Sequence, residues 1–161
     1  MSDWSFLRPY EDWPPRVIAG NPFPLACRLL PASSPTEIAA SWPFGAPAEV
    51  RSLWSTYGGG ELFKDAKFGQ CGLRIFSPAA SARETLRYQN IQPGRTLDTD
   101  LILGEFLGDS DLLIVDASGS VHISLPIDER QKWHREQSLS SFLHKYVAVH
   151  GEKYWESRGR N

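Results

Sequence analysis

The sequence predicts an α+β domain with a mixed or antiparallel central sheet and flanking helices. Its 161 residues are 41% hydrophobic and 22% charged, which is the range of a single globular domain with its own core. Helix patterns occur before residue 90 and again after residue 138, whereas most of the strand patterns lie between residues 101 and 125. Because the two kinds of element are segregated along the chain, the order favours α+β over a doubly wound sheet.

The first 33 residues carry six prolines, a density that interrupts both helices and strands. We therefore predict an irregular N-terminal arm over residues 1–33, which docks through its aromatic side chains on a domain at residues 34–161. The prolines of this arm are Pro9, Pro14, Pro15, Pro22, Pro24 and Pro31.

Helix starts are visible in the next segment. Ser34 followed by Pro35 and Glu37 is a capping box, and it predicts a helix that Trp42-Pro43 ends. A second helix is predicted from Pro47 to the glycines at 58–60, because an apolar residue recurs at helical spacing at Val50, Leu53, Trp54 and Tyr57.

A third helix is predicted from Ser77-Pro78 to about Tyr88, followed by a loop at residues 90–99. The last helix begins after Ser138 and has the clearest apolar face, formed by Leu139, Phe142, Leu143, Tyr146 and Val147. Most of the six tryptophans are expected in the core because an indole ring carries a large apolar area.

Five segments read as strands. Residues 61–63 and 73–76 are short, and residues 112–115 are continuously apolar, as in a strand covered on both faces. Residues 101–107 are mostly apolar, and residues 121–125 alternate between apolar and polar. Gly-, Asp- and Ser-rich turns join the last three strands, which predicts antiparallel pairing.

Composition excludes several classes of function. The net charge of −2 argues against direct binding to a nucleic-acid backbone, and no apolar run is long enough to cross a membrane. The N-terminus shows no export signal, and Cys27 and Cys71 are too few for a disulfide framework. We expect a cytoplasmic protein with reduced thiols.

No motif predicts catalysis, a metal site or a cofactor. The glycines at 58–60 lack the lysine of a phosphate-binding loop, and the four histidines lack metal-ligand spacing. Asp109 and Asp111 resemble the start of a calcium loop, but the apolar residues 112–114 follow where oxygen donors are needed.

Charge is unevenly distributed along the chain. Residues 98–129 contain eight acidic residues and no lysine or arginine, whereas residues 130–161 contain seven basic and three acidic residues. Two interpretations stay open. Either the acids form turns and are compensated within the fold, or they form an acidic surface that steers a basic partner. On the second interpretation, the candidate partner-binding residues are Glu105, Asp109, Asp111 and Asp116.

Three segments carry a resemblance to a known family. Residues 101–119 (LILGEFLGDSDLLIVDASG) contain an apolar strand, a Gly-Asp turn and a second strand that ends in Asp and Gly. Residues 48–57 precede a glycine turn, and Trp133 precedes the helix that starts with SLSSFL at 138–143. In this order, the segments resemble the SMI1/KNR4 (SUKH) superfamily over residues 34–150.

The resemblance implies an α+β fold with a mixed sheet, no catalytic residues and no cofactor. Most bacterial members look like immunity proteins that bind and neutralise polymorphic toxins, often nucleases, and fungal relatives act as regulatory interaction proteins. The expectation is therefore a non-enzymatic immunity protein whose partner is a basic toxin domain. The alternatives are a small-molecule-binding or enzymatic α+β domain and a regulatory interaction protein.

Overall fold

The structure is a computed structural model and describes residues 2–125 and 127–157. Over these residues, eight antiparallel strands form one sheet in which each strand pairs with the next along the chain. The predicted α+β class is confirmed. The strands are β1 (Asp12–Arg16), β2 (Leu25–Leu29), β3 (Gly60–Asp65), β4 (Leu73–Ile75), β5 (Leu101–Phe106), β6 (Leu112–Val115), β7 (Val121–Ser124) and β8 (His134–Glu136).

Helices lie before, between and after these strands. They are α1 (Pro35–Ala40), α2 (Ala48–Trp54), α3 (Pro78–Ile91), α4 (Leu139–Ala148) and α5 (Tyr154–Ser157), with short 3-10 helices at Ser5–Tyr10 and Arg130–Lys132. The predicted caps are confirmed. The Ser34 hydroxyl accepts the Glu37 amide at 3.1 Å, and Ser77 and Ser138 cap α3 and α4 in the same way.

One face of the sheet packs against α2 and α4. Leu62, Leu73 and Leu113 belong to the same buried cluster as Trp54 of α2 and Phe142 of α4. Side chains alternate between the two faces of a strand, so every second residue of β2 to β7 enters this core. All six tryptophans are buried, as expected.

A smaller cluster lies on the opposite face of the sheet. Ile102 of β5 and Ile114 of β6 pack there with Phe76 and Trp133. Helix α3 is attached beside it, because the Ser81 hydroxyl donates to the Ile102 carbonyl and the Thr85 hydroxyl accepts the Ile102 amide. This cluster covers β6 and the Ile102 end of β5, and it leaves β1–β4 and the Glu105 end of β5 uncovered.

The prediction of an irregular segment over residues 1–33 is wrong. β1 and β2 form a hairpin there, and β2 pairs with β3. β1 tolerates Pro14 and Pro15 because it is an edge strand whose outer N–H groups need no partner. Every second residue of β2 faces the core, namely Leu25, Cys27 and Leu29. The sequence between the prolines therefore has the two-residue period of a strand.

The C-terminal region contains two elements that the patterns did not predict. β8 has three residues and α5 has four, and both are shorter than a period that can be recognised. Helix α3 also continues to Ile91, into the predicted loop. Arg158 and Arg160, which contribute to the basic C-terminal segment, lie outside the described residues. In the described ranges, no helix has the length and apolarity needed to cross a membrane.

Candidate partner-binding surface

Five charged residues lie side by side across β1 to β5. The strand register pairs Asp12 with Arg28, Arg28 with Glu61, Glu61 with Arg74, and Arg74 with Glu105. Each follows or precedes a residue that faces the core, so all five side chains point to the opposite face. We call these residues the charged row and the sheet surface around them the charged face.

Ion pairs join the central members of the charged row. The Arg74 guanidinium donates to Glu61 at 3.1 Å and to Glu105 at 2.9 Å, and Lys64 lies 3.4 Å from the Glu61 carboxylate. The side chains of Arg74 and Glu105 are 43% and 35% exposed, so the pairs lie at the solvent boundary. The cross-strand pairs hold these charges in fixed positions on a rigid sheet.

A groove of about 340 Å³ adjoins the charged row where β2–β4 meet the start of α3. Its wall includes Leu30, Phe76 and Ala80, and Arg28 and Arg74 line its charged side. The charged face therefore has both polar and apolar parts.

Asp109 and Asp111 lie together in the turn between β5 and β6. Lys153 contacts the Asp109 carboxylate and donates to Asp111 at 3.3 Å, which attaches the C-terminal segment to this turn. Burial raises the pKa of Asp111. Burial acts to lower the pKa of Lys153, but the hydrogen bond to Asp109 and the charges of both carboxylates outweigh burial and raise it. The turn itself requires Gly108, because a Cβ there would collide with the Gln70 carbonyl.

Asp116 lies in the turn between β6 and β7 and is mostly buried. Its carboxylate pairs with the His122 ring at 2.8 Å and accepts the amides of Ser118 and Ser120. Burial acts to raise the pKa of Asp116, but hydrogen bonds from Ser118, His122 and Ser120 outweigh burial and lower it to about 2. Asp116 therefore shapes this turn.

The structure does not gather the four predicted partner-binding residues into one patch. Asp111 and Asp116 lie at opposite ends of β6, about 16 Å apart for a strand that rises about 3.3 Å per residue. Glu105 pairs with Leu112 of β6 in the sheet register. Of the four predicted residues, it is Glu105 that lies on the charged face. Asp109 is exposed, but its carboxylate is engaged with Lys153.

A second concavity lies between the N-terminal 3-10 helix and α2, with a volume of about 1180 Å³. Polar side chains line much of it, and several are bonded within the chain. The Tyr57 hydroxyl donates to Glu11 at 2.6 Å, and Glu49 accepts the Leu139 amide at 2.9 Å. If the chain binds a small molecule, as in the alternative given above, this groove is where binding should be tested.

Sequence reasoning missed Arg28, Glu61 and Arg74 as members of a common surface. Arg28 and Arg74 each lie between two core-facing residues, and Glu61 directly precedes core-facing Leu62, which places all three on the outer face. The register that aligns the three strands is a tertiary property and has no signal within any single segment.

Within residues 2–125 and 127–157, no three His, Cys, Asp or Glu side chains form a group that could hold a metal ion. No protein-family model matches the chain, and no curated protein matches its sequence.

Proposed function

We propose that this chain is a non-enzymatic, cytoplasmic protein-binding domain that acts as an immunity protein. Its partner is a toxin domain with a basic surface, and binding neutralises the toxin. The immunity role rests on the resemblance to the SMI1/KNR4 superfamily. The binding surface rests on one observation, the charged row on the uncovered part of the sheet.

The charged row suits protein recognition for two physical reasons. Ion pairs already order the side chains of Glu61, Arg74 and Glu105, so a partner that contacts these three would cost little conformational entropy on binding. Complementary charge raises the association rate and excludes partners with the wrong pattern. A basic partner surface is favoured by the acidic segment at residues 98–129, of which Glu105 lies on the charged face.

Neutralisation is tested by co-expression. Toxin domains encoded beside the gene for this chain are expressed one at a time in a bacterial host, with and without the chain, and growth is measured. We expect the chain to restore growth against one of them and to form a stable complex with it after purification. If every such domain inhibits growth equally with and without the chain, the immunity role is wrong.

The charged face is tested with Glu105→Lys in the same complex. Asp109 and Asp111 are poorer probes, because reversing them also detaches Lys153. We expect Glu105→Lys to slow association and to weaken its dependence on salt. Glu129→Lys is the matched control, because Glu129 is exposed and lies outside the charged row. Equal association rates for the two variants would show that the charged face does not contribute to binding the partner.

A further inference from the structure

The groove beside the charged row has the size of a small binding pocket. Its volume of about 340 Å³ lies within the range that binds small ligands or a few side chains. It is formed at the ends of β2 and β4 and at the start of α3, and Leu30, Phe76 and Ser77 line it from the connecting segments.

Part of the groove lining is apolar. Leu30 directly follows β2 and remains 43% exposed, while Phe76 and Ala80 line the groove from the end of β4 and the first turn of α3. An aliphatic side chain from a partner would cover Leu30 and remove apolar surface from water on both molecules.

The groove lining also contains an arginine whose donors are unused. Arg74 is engaged by Glu61 and Glu105, and Glu61 is also within reach of Lys64. Arg28 lies in register between Asp12 and Glu61, yet across the described ranges its guanidinium forms no ion pair or hydrogen bond. Arg28 is exposed and lines the groove.

The local field adds to the charge of Arg28. The groove lies at the N-terminal end of the 14-residue helix α3, where the peptide dipoles favour a negative group. The negative charge of Glu61 is compensated by the bases around it. A carboxylate is the group that matches the planar fork of a guanidinium.

We propose that the groove binds a partner segment in which an aliphatic side chain is followed directly by an acidic residue. The aliphatic side chain packs against Leu30 and Phe76, and the carboxylate accepts hydrogen bonds from Arg28. The inference rests on the proposed function, because it names the partner chemistry recognised on the same charged face. The partner would then present an acidic residue to Arg28 as well as a basic surface to Glu61 and Glu105.

The test is an NMR titration of the ¹⁵N-labelled full chain with three capped peptides. The probe is acetyl-Gly-Leu-Asp-Gly-amide, and the two controls replace its Asp by Asn or its Leu by Ser. We expect shifts at the amides of Gly60, Ile75 and Ala80, with binding about fivefold or more weaker for each control peptide. No localised shift with the Leu-Asp peptide, or equal affinity for all three, overturns the proposal.

Variants of the chain assign the two contacts. Arg28→Gln should remove the preference for Asp over Asn, and Leu30→Ser should remove the preference for Leu over Ser. Lys132→Gln is the charge-matched control and should leave both preferences intact, since Lys132 lies outside the groove. If the Asp preference survives Arg28→Gln, the proposed carboxylate contact is wrong.

The outcome is separable from that of the immunity role. A chain that neutralises a toxin but does not distinguish the peptides overturns the groove alone. A chain that distinguishes the peptides but neutralises no toxin supports the groove and overturns the immunity role.

Discussion

The two faces of the central sheet are built from alternating residues of the same strands, but one face is buried and the other is in contact with solvent. On the covered face, Leu62 and Leu73 are fully buried beneath α2 and α4. On the charged face, their neighbours Glu61 and Arg74 remain at the solvent boundary in ion pairs. A strand of period two thus encodes a buried core and a charged surface at the same time. Substitutions on the two faces should therefore have different consequences.

Charged residues follow the same division. Asp100 is fully buried and paired with Arg130, and Asp116 is held by His122 and two backbone amides. These acids belong to the fold. Glu105 is paired only at the surface, where an ion pair contributes little to stability. Acidic composition alone does not separate the two roles, whereas burial does.

Phe142→Ala should have the largest effect on stability. The Phe142 ring is fully buried against Phe106, Tyr146 and Trp155. Its removal leaves a cavity, and we expect a loss of about 3–5 kcal/mol in the free energy of unfolding, measured by urea denaturation. Leu86→Ala, at a residue that is 52% exposed, is the control and should cost far less. Similar losses for both would contradict the assignment of the covered face.

Asp100→Ala should have the next largest effect. The Asp100 carboxylate accepts two hydrogen bonds from Arg130 and one from the Leu97 amide. Removing it leaves the arginine, which is 25% exposed, without its partner, and we expect a loss of about 2–4 kcal/mol by urea denaturation. Asp98→Ala removes an exposed acid two residues earlier and should be nearly neutral. A neutral Asp100→Ala would show that the pair contributes nothing to the fold.

Asp116→Asn should change how stability depends on pH. The pKa of Asp116 is lowered to about 2, so the folded state favours the ionised carboxylate. This stabilisation is complete above about pH 4 and is lost as the pH falls through about 2. We expect Asp116→Asn to remove up to about 2 kcal/mol of pH-dependent stability in this window, measured by urea denaturation at several pH values. Parallel curves for the variant and the wild-type chain would contradict the lowered pKa.

The Arg74–Glu105 pair should show the smallest effect. Both side chains are more than a third exposed to solvent, so we expect a coupling energy of about 0.2–1 kcal/mol between them. A double-mutant cycle with Arg74→Ala and Glu105→Ala measures this coupling in urea denaturation. A coupling as large as the effect of Asp100→Ala would mean that the charged face stabilises the fold as much as the interior pair does.

Local signals predict much of the fold. Ser34, Ser77 and Ser138 cap the helices that they predict, because a hydroxyl that accepts a free amide is a local interaction. The strands at 112–115 and 121–124 follow from their apolar periods. β1 and β2 are not predicted, because the proline density of residues 1–33 indicates an irregular segment and the alternation around Cys27 is short.

The candidate surface depends on contacts that no local pattern contains. Lys153 lies 44 residues from Asp109 along the chain, so the sequence alone does not reveal that this acid is engaged. Arg74 lies 13 residues from Glu61 and 31 from Glu105, and only the strand register brings the three together. The uneven distribution of charge is visible in the sequence, but its division into interior and surface groups is not.

The most direct test of the central claim is the affinity of the chain for the toxin domain that we propose as its partner, measured by calorimetry. One triple variant, Glu61→Gln/Arg74→Gln/Glu105→Gln, removes two acids and one base from the charged row. A matched triple variant, Asp98→Asn/Glu129→Gln/Lys132→Gln, removes the same charges from exposed positions outside the row.

We expect the first variant to bind at least about tenfold more weakly, a loss of about 1.4 kcal/mol, while the second stays within about twofold of the wild-type chain. Unchanged affinity for the first variant, or an equal loss for both, would contradict the claim that the charged face binds the partner.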